Sequence, residues 1–150
     1  MGVNYMTINK SMVACLIGAL STIPYEILTR MLKLLGYAKY SVYELSSLMI
    51  TINRPDAILG SFLSMILGAS IAIILYRTII GWLGWDNLIF KSVFIGLQSW
   101  LLLEGLFMWL IEGRNFIPLR PISDYYSQFF SVFVFGITMG LLFRKYLKNA

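Results

Sequence analysis

The sequence predicts an all-α integral membrane protein, a four-helix transmembrane bundle with a short interfacial helix between the first and second spans. Three observations predict it. Hydrophobic residues make up 59% of the chain and charged residues 13%, whereas charged residues alone are about a quarter of an ordinary soluble domain. Four apolar segments approach or exceed the roughly 20 residues a helix needs to cross a bilayer. Between them stand the Pro, Gly, Trp and cap residues that end helices at a membrane surface. A soluble fold of 150 residues lacks the interior to hide so much apolar side chain. The chain reads as a single membrane domain, residues 1–150.

The first span covers residues 12–28, and Pro24 inside it removes the hydrogen bond to Leu20 and is expected to kink the helix. Glu26, Arg30 and Lys33 follow at i, i+4 and i+7, one face of a helical continuation that bends into the interface and stops at Gly36. Ser41 and Glu44 form a capping box before an apolar run too short to span. They predict the interfacial helix at residues 42–49, its Leu and Met side chains resting on the membrane. "NRPD" then breaks the chain, and Pro55 suits the first turn of the second span, residues 57–76, which carries no charge. Trp82 and Trp85 anchor its far end at headgroup level, and Asp86 is placed to cap the third span, residues 88–111. The loop "EGRNFIPLRPISD" ends in Ser123 and Asp124, read as the cap of the fourth span, residues 125–143, which is closed by "RKYLK".

Lipid tails are as apolar as leucine, so helices in a bilayer associate through close packing or hydrogen bonds. The second span carries Gly60, Ser64, Gly68 and Ala72 at successive i, i+4 positions, and the fourth carries Gly136 and Gly140. These stripes suit either packing inside one bundle or an interface between copies.

Glu104 stands inside the third span, about 10 Å from its end at 1.5 Å per residue. Counting to the same depth on the other spans reaches Ser21, Thr22, Ser64 and Ser131. This predicts an intramembrane polar layer of Glu104 with those hydroxyls, extended towards the midplane by Gln98. No lysine or arginine falls at that depth on any span, so Glu104 is expected to lack a countercharge. It then serves either as interhelical glue or as a proton- or cation-carrying group.

Other chemistry is missing from the pattern. The chain has no histidine and one cysteine, Cys15, which leaves neither a disulfide nor a Cys/His metal site. There is no Gly-rich phosphate loop and no paired carboxylate motif. No catalytic residue, metal or cofactor is therefore expected, and the basic tail fits anionic lipid better than nucleic acid. Lys and Arg divide equally between the two membrane sides; the compact C-terminal cluster points to both termini being cytoplasmic.

From "ILGSFLSMILGASIAIILY" through "GLLFRKY", the order of spans, the aromatic third span and the Gly-containing fourth resemble the small YqhR-type membrane proteins of spore-forming bacteria. The resemblance implies a bacterial inner-membrane setting and lends no activity. The function read from the sequence is that of a non-enzymatic multi-pass membrane protein. It would act by helix association, as a subunit or scaffold of a membrane complex or as a homo-oligomer. The alternative is a small proton- or cation-coupled transporter or channel using Glu104.

Overall fold

The computed structural model describes residues 2–148, with side chains from residue 10 onward. The chain is all-helical there. Helix α1 runs Gly2–Leu34, α2 Val42–Thr51, α3 Ala57–Leu83, α4 Leu88–Glu112 and α5 Ile122–Lys148. Four of these, all but α2, are long and apolar enough to cross a membrane. Every helix, α2 included, extends beyond its expected segment on at least one side. Helix α1 passes Pro24 without a break in helical structure. Helices α3, α4 and α5 each contain a five-residue π-helical turn near the C-terminal end, at Leu75–Ile79, Met108–Glu112 and Arg144–Lys148.

Around the bundle the long helices follow the order α3, α1, α5, α4, each packed on the next. The ring does not close, because α3 and α4 barely touch. The small-residue stripes explain the packed seams. A Cβ on Gly18 would collide with the carbonyl oxygen of Gly68 and with Ala72, and a Cβ on Gly68 would strike the backbone of Gly18. Backbones this close bring dispersion contacts that lipid cannot match. On the opposite seam, Gly136 lies against Val93 and Gly140 against Ser92 and Ile89, and the Ser92 hydroxyl donates to the Gly136 carbonyl at 2.7 Å. The stripe on α3 is shared between two neighbours, with Gly60 and Ser64 facing α2 and Gly68 and Ala72 facing α1.

Helix α2 departs from expectation in where it puts its apolar face. Its capping box is present, with Ser41 accepting from the Glu44 amide and Glu44 from the Ser41 amide. Leu48 is fully buried, however, and Leu45 nearly so. Both pack on Phe107, Ile111 and Ile117 rather than on lipid. Polar contacts pull the helix inward. Glu26 accepts from the Tyr43 amide at 3.0 Å while pairing with Arg30 at 2.7 Å. Thr29 accepts from the Val42 amide at 3.0 Å, and Lys33 pairs with Glu44 at 2.7 Å. Burial pushes the Glu44 carboxyl up, but Lys33 and Ser41 outweigh it and hold it below the usual carboxylate range. Its contribution is therefore present above that range and is lost as pH falls through the depressed value.

Three expected helix starts are corrected. Pro55 precedes the N-cap, Asp56, which accepts from the Ile58 and Leu59 amides. Asn87, in a left-handed conformation, precedes α4 in place of Asp86, and no side chain caps there. Helix α5 begins at Ile122 after Pro121, so Asp124 is free for another role.

Gly18→Val should destabilise the protein by about 1–3 kcal/mol through overpacking. Gly81→Ala, whose Cβ would meet nothing within 4 Å, should leave thermal unfolding in detergent unchanged or slightly raised. Equal effects of the two changes would contradict the packing of α1 on α3.

Candidate functional site

Glu104 has a countercharge. Its carboxylate is paired with Arg120, contributed by the connection between α4 and α5. Counting depth along the spans missed this residue because the connection folds back into the bundle end. Ile117 anchors the fold-back by burying itself against Leu45, Leu48, Phe107 and Ile111. Three residues later the Arg120 side chain is completely buried.

Arg120 meets three carboxylates. Its Nη2 pairs with Glu104 and its Nε with Glu112, while Nη1 donates to Asp124 at 2.8 Å and to Glu104 at 3.3 Å. The guanidinium lies 4.9 Å from the Phe107 ring centroid and 4.5 Å from that of Tyr125. Tyr125 also donates to Glu112 at 2.9 Å, and the Lys39 amide donates to Asp124 at 2.9 Å. Burial disfavours the charge on Arg120, but the carboxylates more than offset it, and the pKa moves above the ordinary arginine value.

The π-helical turn Met108–Glu112 helps to make this geometry possible. In an ideal α-helix, residues eight apart point roughly 80° away from each other. One extra residue in a wider turn rotates the following side chain back by about that amount. Glu104 and Glu112 can then reach one guanidinium from the same helix face.

The expected polar layer is not assembled around Glu104. The Ser21 hydroxyl donates to the Ile17 carbonyl at 2.7 Å, and Thr22 donates to the Ala19 carbonyl while sharing a 3.1 Å hydrogen bond with Tyr43. Ser64 pairs with Ser46 of α2 at 2.6 Å. Ser131 is buried with its hydroxyl unpartnered, and Gln98 lies exposed on the outer side of α4. Ser131 apart, these inward hydroxyls are answered locally by a carbonyl or by α2, the helix that depth counting left at the surface. Thr22 and Ser64 do share one feature with Glu104. All three line a cavity of about 110 Å³ in the bundle, next to the open seam between α3 and α4.

Sequence reasoning missed Arg120, Glu112, Asp124 and Tyr125. A usable signal was present: two acids and two arginines, Glu112, Arg114, Arg120 and Asp124, stand within one connection and its flanking turns, more charge than helix capping requires. Among the described residues no group of three or more His, Cys, Asp and Glu side chains is arranged to hold a metal. Arg120 fills the space between the three carboxylates.

Removing one member of a buried ion pair typically costs about 3–5 kcal/mol, because the partner charge is left uncompensated. Arg120→Gln strands three carboxylates and should lower the unfolding temperature more than Glu104→Gln, which leaves Arg120 two partners. Arg120→Lys keeps the charge and loses the fork, and should fall between wild type and Arg120→Gln. The reverse order in thermal unfolding would refute the arginine-centred arrangement.

The protein-family models, the curated proteins and the solved structures compared with this chain give no match.

Proposed function

We propose that this membrane protein works by association within the bilayer and not by catalysis, through the outer face of α4. The observation that carries this is Gln98. It lies near the middle of α4, exposed, among exposed Phe94, Leu101 and Leu102. A carboxamide left facing hydrocarbon without a partner costs several kcal/mol. A glutamine amide both donates and accepts, so two copies can satisfy each other across a two-fold axis. Seven residues on, exposed Gly105 has open space where a Cβ would stand, which leaves room for a second helix to approach. The small-residue stripes, a candidate interface on the sequence alone, are occupied inside the bundle, and so is the apolar face of α2. The face around Gln98 takes their place.

The orientation with both termini cytoplasmic is part of this proposal. Arg144, Lys145 and Lys148 cluster exposed or near-terminal on that side, while Arg30, Lys33 and Arg120 on the other side are engaged with carboxylates. A bacterial inner membrane is the setting that the YqhR-type resemblance implies.

Disulfide cross-linking in membranes tests the face. In a Cys15→Ser background, Leu102→Cys should give cross-linked dimers on oxidation, and Phe62→Cys on the outside of α3 should not. Adding Gln98→Leu or Gly105→Leu should reduce the Leu102→Cys dimer several-fold at unchanged monomer stability, in line with interhelical hydrogen bonds of about 1 kcal/mol. Absence of cross-linking, or equal cross-linking at Phe62, would sink self-association.

A proton- or cation-coupled carrier using Glu104 is the second function, favoured by one observation: Glu104 borders the internal cavity. Flux in wild-type proteoliposomes that disappears in folded Glu104→Gln would establish it. No flux in wild type would remove it.

A further inference from the structure

The cavity has an unusual charge balance at one end. Three carboxylates surround Arg120, a formal excess of two negative charges in a buried cluster. Glu112 and Asp124 are each satisfied again, by Tyr125 and by the Lys39 amide. Among the described residues Glu104 receives hydrogen bonds from Arg120 alone. It is also the one ionisable acid of the three that lines the cavity, with 16% of its side chain still accessible. Both of its oxygens are engaged by the guanidinium, yet it is through Glu104 that a cluster of net charge minus two meets the open space.

The rest of the wall is of another kind. Leu67, Ile71, Leu103 and Val132 make most of it apolar, and Trp100 adds an indole whose Nε1 is buried without a partner. A volume of about 110 Å³ is smaller than the ~150 Å³ engineered apolar cavity that holds benzene. It accepts a small head and the first few carbons of a chain. The remainder has an exit, because α3 and α4 barely touch beside it.

We propose that this cavity is a binding site for a single-chain alkylammonium cation, its head at Glu104 and its hydrocarbon chain leaving through the seam between α3 and α4. Charge complementarity selects the cation, and the aromatic wall favours it further. The apolar seam selects the chain. The site lies on the inner side of α4, opposite Gln98, so it stands whether or not the protein self-associates, and binding requires no transport.

The test is equilibrium binding of radiolabelled dodecylammonium to the protein in phosphatidylcholine nanodiscs, with protein-free nanodiscs as background. Saturable binding of about one cation per chain is expected, displaced poorly by dodecanol and by dodecyl sulfate. Glu104→Gln should weaken it on the order of tenfold, the scale of one charge-assisted contact. Ser99→Phe, which fills the cavity and keeps the carboxylate, should weaken it similarly and serves as the deciding variant if Glu104→Gln does not fold. Binding no greater than background would overturn the proposal. So would dodecanol or dodecyl sulfate displacing the cation as well as unlabelled dodecylammonium, or full affinity in the folded variants.

Discussion

The buried guanidinium of Arg120 is the interaction on which the rest of this end of the bundle depends. It joins two points on α4, through Glu104 and Glu112, to the first turn of α5 through Asp124. Asp124 carries the link on to the segment between α1 and α2 by accepting from the Lys39 amide. This relay ties the second half of the chain to the first, beside Gln128, which accepts from the Tyr25 hydroxyl at 3.1 Å and donates to the Tyr40 carbonyl at 3.2 Å. Arginine suits the task because its planar fork bonds several carboxylates at once and it stays charged when buried. Tyr125 and Phe107 flank it and exclude other partners.

That polar fastening lets the bundle stay incomplete elsewhere. The α1–α3 and α4–α5 seams are closed by glycines, whereas α3 and α4 hardly meet. In water an apolar gap between two helices would collapse, because burial there is favourable. In a bilayer that driving force is absent, and acyl chains supply the same dispersion contacts as a neighbouring helix. An open seam is therefore tolerated so long as something else fastens the helices at one end. Here α2 does so from one side, through Glu26, Thr29 and Lys33, and Arg120 from the other.

Local pattern carried much of this architecture. Apolar length located the four long helices, Ser41 and Glu44 located α2, and the i, i+4 stripes located the close seams. Each is a short-range signal written in neighbouring residues. Arg120 was invisible to the same approach because its depth is set by a loop fold-back, which depends on Ile117 finding a pocket made by α2 and α4 together. Glu112 was hidden by a π-helical turn, for which the sequence has no plain marker. Gln98 is different, because its position was legible. It lies six residues before Glu104, roughly 120° away around an ideal helix, so the two could not face the same interior. Gln98 was expected to extend the layer of Glu104 towards the midplane; azimuth separates the two.

The same azimuth organises α4 as a two-sided helix. One side presents Glu104 and Glu112 to a buried cation of the protein itself, and the other presents Gln98 and Gly105 outward. Polar groups in hydrocarbon demand partners, and the two sides answer that demand differently. Inside, a charged network forms within the chain and leaves Glu104 beside open space. Outside, Gln98 offers a neutral donor and acceptor with no partner among the described residues. A helix meant only to fill lipid-facing surface would carry leucine at position 98. In the association proposed above, the amide there, on a face free of charge, is covered by a partner when the protein works.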